Sequence, residues 1–78
     1  MIDRLLVMIN TVRQNKGLTR LESIQPSDDL RRDLELDSLD LAELTVRIEN
    51  ESGIDIFEDG FVNSIGEILI KLGKRPNG

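Results

Sequence analysis

The sequence contains no cysteine, histidine, tryptophan or tyrosine, and phenylalanine occurs only twice among its 78 residues. Without cysteine the chain forms no disulfide and no thiolate metal site. Without histidine it lacks the usual general base near neutral pH, which excludes Ser-His-Asp and Cys-His catalysis within the chain. The scarcity of aromatic rings predicts a core of Leu, Ile and Val. These absences argue against a self-contained enzyme.

The remaining composition describes a small acidic domain. Fifteen acidic residues oppose ten basic ones, the net charge is −5, and 38% of the residues are hydrophobic. We expect residues 1–78 to form one domain, because this length is near the lower limit for a single core. No apolar run approaches the roughly 18 residues of a membrane span. No signal peptide is evident, so we expect a cytoplasmic protein, a monomer that binds no nucleic acid.

The acidic charge is concentrated in the middle of the chain. Residues 33–59 hold ten acidic side chains and one basic one, while the segments on either side are each weakly basic. Such a run is usually a solvated face. It is also typical of a docking surface for basic partners, because its field steers their association.

Apolar residues at helical spacing predict three main helices, over residues 2–15, over about 38–52, and from Ser64 onward. Gly17 and Gly53 end the first two, a Ser64–Glu67 capping box begins the third, and Gly73 with Pro76 closes it. The predicted apolar faces comprise Ile2, Leu5, Leu6, Ile9 and Val12, then Leu41, Leu44 and Ile48, then Ile65, Ile68, Leu69 and Leu72.

Two connections complete the predicted fold. Leu18 to Leu36 is a long ordered loop, which Ile24, Leu30 and Leu34 attach to the core. Ile54, Ile56, Phe57, Phe61 and Val62 lie in a segment that we expect to form a short fourth helix. The fold class is therefore all-α, a small four-helix bundle of three main helices and one short helix with a long first loop.

The start of the second helix is the candidate site. Asp37 suits its N-cap, and Asp40 follows three residues later in the capping-box position. Ser38 then occupies the first helical turn at the surface, where unpaired N–H groups favour an anion. Taken alone, the Asp-Ser pair is explained more simply by a plain capped helix.

A second apolar stripe on this helix consists of Leu39, Ala42 and Val46, opposite the core face and next to acids at 37, 43 and 49. A helix in a small domain needs only one apolar stripe. Either the long loop buries this second stripe, or it is a surface made to be bound by a partner.

Residues 33–40, with the sequence DLELDSLD, and the following Glu43-Leu44 resemble the signature of acyl carrier proteins, in which a D-S-L triplet opens an acidic helix. The similarity extends over nearly the whole chain, including Asp28-Asp29-Leu30 and the Gly-Ile-Asp-Ile segment at 53–56. It implies that a phosphopantetheinyl transferase moves 4′-phosphopantetheine from coenzyme A onto Ser38. Asp37 and Leu39 flank this attachment point.

The resemblance also implies a function and its partners. The thiol of the attached group carries acyl intermediates as thioesters between enzymes of fatty acid, polyketide or related lipid synthesis, and the chain itself is not an enzyme. The expected partners are the transferase and acyl-loading, synthase and acyltransferase enzymes with basic docking patches. The residues expected to meet them are Asp37, Leu39, Asp40, Ala42, Glu43, Val46 and Glu49.

Several positions depart from the family pattern. Glu35 stands where most carriers have Gly, Arg47 interrupts the acidic face, and Asn50 and Ser52 replace an acidic and an apolar residue. These changes suggest a carrier dedicated to one pathway. The Gly-Gly pair that peptidyl carriers often show before the serine is absent.

Two other interpretations use the same residues. The chain can be an unmodified acidic helical adaptor that binds partners through the same surface. A calcium-binding loop starting at Asp33 fails, because its sixth and twelfth positions hold Ser38 and Leu44 instead of Gly and Glu. Helix capping explains the paired carboxylates of Asp37 and Asp40 more simply than acid/base catalysis.

Overall fold

A computed structural model describes residues 2–58, 60 and 62–73, and in this part the chain forms three helices and no strand. They are α1 (Ile2–Asn15), α2 (Ser38–Ser52) and α3 (Ile65–Gly73). The all-α class and the three main helices are confirmed. None of the described helices combines the length and the apolar character needed to cross a bilayer.

The first two helices end at glycines, as predicted. Gly17 has φ 85°, and the N–H of Leu18 donates to the Arg13 carbonyl at 2.9 Å. Gly53 has φ 75°, and its N–H donates to the Glu49 carbonyl at 2.8 Å. Glycine suits both positions, because a side chain in this left-handed conformation meets its own backbone.

The start of α3 departs in one detail from the predicted capping box. The Ser64 hydroxyl accepts from the Glu67 N–H at 3.2 Å, as expected. The Glu67 carboxylate accepts from the backbone N–H of Asn63 instead of Ser64. Ser64 forms an isolated antiparallel bridge with Asp29, in which the Ile65 N–H donates to the Asp28 carbonyl at 3.0 Å, and this bridge joins the long loop to the helix. Pro76 lies outside the described residues.

The core is aliphatic, as the composition predicts. Leu41, Leu44 and Ile48 of α2 are buried, as predicted. Ile65, Ile68 and Leu72 of α3 are also buried, with Leu69 partly covered.

The predicted apolar face of α1 needs one correction. Leu5, Ile9 and Val12 are buried, but Ile2 is 37% exposed at the first turn, and Met8 is buried in the same helix. Ile2 begins the helix, beyond the point where the other elements cover it, so spacing alone misassigns it.

The long loop between α1 and α2 is attached to the core as predicted. Ile24, Leu30 and Leu34 are buried, and so is Leu36 just before α2. The Leu30 N–H donates to the Asn63 carbonyl at 2.8 Å, which fixes the loop against the start of α3. Packing therefore orders a segment that has almost no regular structure of its own.

A short fourth helix between α2 and α3 is not confirmed. The described residues there form turns, in which the Glu58 N–H donates to the Asp55 carbonyl at 3.2 Å. Ile56 and Val62 are buried in the core, so the segment contributes apolar contacts without a regular helix. Phe61, which was expected in this helix, lies outside the described residues.

Candidate functional site

The N-terminus of α2 is built by a reciprocal cap, which confirms the predicted capping box. The Asp37 carboxylate accepts from the Asp40 N–H at 3.0 Å, and the Asp40 carboxylate accepts from the Asp37 N–H at 3.0 Å. Asp37 has extended backbone angles, as an N-cap does. Ser38 is therefore the first residue of the helix and is exposed to solvent.

The Ser38 hydroxyl faces a cation. Nη2 of Arg31 lies 3.4 Å from Ser38 Oγ. The two side chains line a cavity of about 240 Å³ together with three largely apolar ones, Leu41, Ala42 and Phe57. The serine thus stands at the edge of an apolar cavity with a guanidinium beside it.

Lys16, just after α1, holds the cap of α2 from the other side. Its ammonium group forms an ion pair with Asp40, lies 3.8 Å from the Asp37 carboxylate, and donates to the Glu35 carbonyl at 3.0 Å. Burial alone raises the pKa of Asp40, but the hydrogen bonds from Lys16 and Asp37 outweigh it, so its pKa lies below the ordinary value. The hydrogen bond with Asp40 raises the pKa of Lys16.

Glu35 adopts the left-handed conformation that favours glycine, with φ 58°. This geometry gives a physical reason for the glycine that most carriers have at this position, since a side chain there costs about 1–2 kcal/mol. The Glu35 carboxylate lies 3.8 Å from Nη1 of Arg13, which offsets part of the strain.

Arg13 is buried in the core and anchors both ends of the long loop. Its guanidinium donates to the Leu34 carbonyl at 2.6 Å and twice to the Thr19 carbonyl, at 3.2 Å from Nε and 3.1 Å from Nη2. Arg13 therefore positions the segment that leads into the N-terminus of α2.

The second apolar stripe of α2 is exposed. Leu39 is 78% exposed, Val46 is 56% exposed, and Ala42 lies on the surface between them. The alternative that the long loop buries this stripe is wrong, because all three side chains are exposed. An exposed Leu next to a surface serine is typical of a binding surface.

The acids predicted to meet partners are not equivalent. Glu43 is half-buried and accepts from Arg47 at 3.0 Å and 2.8 Å, so its charge is already paired. Glu49 is exposed, and its carboxylate makes no ion pair with any residue that the structure describes. Asp40 is largely covered and paired with Lys16, whereas Asp37 is exposed.

Sequence reasoning missed three basic residues near the site: Arg13, Lys16 and Arg31. Each is remote along the chain from the atoms it contacts, and composition shows them only as scattered charges. A basic residue in the last turn of α1 is a general helix feature, and it does not reveal a partner on α2.

The Ser38 hydroxyl is exposed at the first residue of α2. The hydroxyl has an arginine donor beside it, and in the described residues no carboxylate accepts its proton. A serine nucleophile needs such a base for its own activation. In the same part of the chain no three acidic side chains cluster closely enough to hold a metal ion.

The family described as "Phosphopantetheine attachment site" matches residues 7–69, which cover all of α2 and most of α1 and α3. The chain belongs to this family, and the resemblance to acyl carrier proteins is confirmed. Domains of this family receive 4′-phosphopantetheine covalently, are not catalytic themselves, and interact with transferase and synthase enzymes. Comparisons with curated proteins and with solved structures gave no significant match.

Proposed function

We propose that this protein is an acyl carrier whose prosthetic arm is attached to Ser38. The observation that carries the proposal is the exposed Ser38 hydroxyl at the start of α2, to which no base among the described residues is hydrogen-bonded, inside a chain of the phosphopantetheine family. The surroundings fit the arm, because the phosphodiester is an anion and the Arg31 guanidinium lies 3.4 Å from the hydroxyl. The arm supplies the thiol that carries acyl groups as thioesters.

In this proposal the residues around Ser38 hold its hydroxyl at the surface for the transferase. Asp37 and Asp40 cap α2 and hold Ser38 at the surface, and Lys16 holds this cap. In the transfer reaction Ser38 Oγ forms a bond to the phosphorus of the phosphopantetheine half of coenzyme A. The pyrophosphate bond breaks, adenosine 3′,5′-bisphosphate leaves, and a base of the transferase accepts the serine proton.

Exposed Leu39, Ala42 and Val46 support docking of the transferase and of acyl-processing enzymes on this face of α2, and Glu49 supports partners with basic patches. The protein acts as a monomer in this proposal, because a dimer built on the stripe would cover the surface next to Ser38. The cavity beside Ser38 has apolar walls at Leu41 and Phe57, which favours an acyl or polyketide chain over a charged cargo.

Mass spectrometry tests the attachment directly. The folded protein is incubated with coenzyme A, magnesium and a broad-specificity transferase, and we expect the addition of one phosphopantetheine. Ser38→Ala removes the addition while its circular dichroism stays native, and Ser27→Ala, which changes another exposed serine, retains it. A folded wild type that gains no mass contradicts the carrier function and favours the unmodified adaptor.

The pathway has its own test. Mass spectrometry of the carrier purified from its source identifies the group on the thiol. A single acyl class supports a carrier specialised to one pathway, and a spread of ordinary fatty acyl chains contradicts that specialisation.

A further inference from the structure

Arg31 has an unusual electrostatic environment for a chain with this many acids. No carboxylate among the described residues forms an ion pair with it, although residues 33–59 are strongly acidic. Its neighbour Arg32 does form an ion pair, with Asp33 at 3.4 Å. The only polar side-chain contact of the Arg31 guanidinium that the structure shows is the hydroxyl of Ser38.

The backbone around Arg31 is held firmly, so this contact is built by the fold. The Asp29 carboxylate accepts from the N–H groups of Arg31 at 3.0 Å and Arg32 at 2.7 Å. Asp33 in turn accepts from the Asp29 N–H at 2.7 Å. The intervening Leu30 is buried in the core. This tight turn places the Arg31 side chain at the mouth of the cavity beside α2.

We propose that Arg31 binds the phosphodiester of the prosthetic arm and thereby fixes the first part of the arm at the mouth of the cavity. The inference rests on the proposed attachment at Ser38. Esterification of Oγ places phosphate oxygens on the atom that Arg31 already contacts. The guanidinium is a planar fork of N–H donors that suits phosphate, and a phosphodiester is charged at every physiological pH.

The position of Arg31 gives this contact a consequence for the arm. Arg31 and Ser38 line the same cavity as Leu41 and Phe57. An arm held at its phosphate by Arg31 therefore starts over the apolar wall instead of pointing freely into solvent. A partner enzyme has to break or replace this contact before the thiol reaches its own active site.

The test uses apo and holo forms of the wild type, Arg31→Gln, Arg31→Lys and the matched control Arg32→Gln, with loading verified by mass. The first readout is the ³¹P NMR shift of the holo proteins. Wild type and Arg32→Gln should share one shift, Arg31→Gln should move toward that of free phosphopantetheine esters, and Arg31→Lys should lie between them. High salt should move the wild-type shift toward the Arg31→Gln value.

The second readout is the folding equilibrium constant from urea unfolding. The ratio of holo to apo constants should be about two- to five-fold larger in the wild type than in Arg31→Gln, as expected for an exposed ion pair. Arg32→Gln should retain the wild-type ratio.

Identical ³¹P shifts and identical ratios in the wild type and Arg31→Gln would overturn the role of Arg31. If the transferase does not load Arg31→Gln, the salt dependence decides instead. A ³¹P shift of the wild type that does not change with salt would then overturn the role of Arg31. Failure of the proposed attachment looks different, because then no protein in the set, including the wild type, gains mass.

Discussion

Nη1 of Arg13 donates to the carbonyl oxygen of Leu34 at 2.6 Å inside the core, across 21 positions of the chain. The same guanidinium donates twice to Thr19, so one side chain of α1 holds both ends of the long loop. Hydrogen bonds of a charged donor are strong, and removing the donor leaves the buried Leu34 carbonyl without this partner.

We therefore expect Arg13→Met to lower the free energy of unfolding by about 2–4 kcal/mol, although it keeps most of the apolar stem. Urea unfolding followed by circular dichroism measures this loss. The control Arg20→Met changes an exposed loop arginine and should stay within about 0.5 kcal/mol of the wild type. Equal effects of the two substitutions would contradict the anchoring role of Arg13.

The left-handed conformation of Glu35 predicts a difference between two small residues at the same position. Glu35→Gly should be more stable than Glu35→Ala by about 1 kcal/mol, because only glycine adopts φ 58° without strain. Both variants lose the contact with Arg13, so that loss cancels in the comparison. Thermal or urea unfolding gives the difference, and an alanine variant as stable as the glycine variant would rule out this backbone conformation.

The ion pair between Lys16 and Asp40 predicts a pH-dependent stability. The pKa of Asp40 is lowered, so its contribution is present above the ordinary value of about 3.9 and is lost as the pH falls through the native pKa. The pKa of Lys16 is raised, so its contribution is present below about 10.4 and is lost as the pH rises through the native pKa.

Lys16→Gln should therefore destabilise the protein most between these limits, near neutral pH. The deficit relative to the wild type should shrink in acid. Once Asp40 is protonated, the wild type also lacks the ion pair that the variant has lost. Urea unfolding over a pH series measures it. Arg20→Gln removes a cation for which the structure shows no ion pair, and it should give no such pH-dependent difference. A Lys16→Gln deficit that stays constant down to pH 3 would contradict the pairing.

The exposed stripe predicts a separation of stability from partner recognition. Leu39→Ser and Val46→Ser should change the free energy of unfolding by no more than about 0.5 kcal/mol, since both side chains are mostly exposed. Both should lower kcat/KM of the transferase, because the apolar contact with it is lost. Val7→Ser, which changes an exposed valine on α1, is the matched control. Unchanged kinetics in the α2 variants would count against this docking surface.

The charges on α2 predict opposite effects at two positions. Glu49→Gln removes an acid that has no ion pair in the described part of the chain, and should lower kcat/KM of a basic transferase at low salt by up to about tenfold. Arg47→Gln removes the partner of Glu43, so the Glu43 carboxylate is no longer paired, and kcat/KM of the transferase should rise. Glu22→Gln, an exposed acid on the long loop, should change little. The differences in kcat/KM between the variants and the wild type should become smaller at high salt. If no such difference is found at low salt, electrostatic docking is refuted.

Much of this site is predictable from local rules. The reciprocal cap of Asp37 and Asp40 and the glycine ends of α1 and α2 depend on residues within one helical turn, so sequence spacing suffices to place them. The predicted second stripe also follows from helical periodicity alone. Its exposure does not, because a loop of about 20 residues can cover either side of a helix.

The positions of the basic side chains could not be predicted in the same way. Lys16 reaches Asp40 across 24 positions of the chain, and Arg13 reaches Leu34 across 21. Such contacts depend on how α1 lies against α2 and on the path of the loop. The short fourth helix was expected from an apolar segment and is not confirmed: its described residues 56–58 form a turn, and Ile56 and Val62 are buried in the core.

The absence of cysteine and histidine settled one matter from the sequence alone: the chain has neither a thiol nor an imidazole base, which excludes Ser-His-Asp and Cys-His catalysis within it. The sequence also predicted Ser38 at the start of α2, because helix caps and periodicity are local. Only the tertiary structure decided that the stripe is exposed, that Glu43 is paired while Glu49 has no ion pair among the described residues, and that Arg31 faces the serine. The physical reason is that charges and apolar surfaces acquire their partners through packing, which joins residues far apart in the chain.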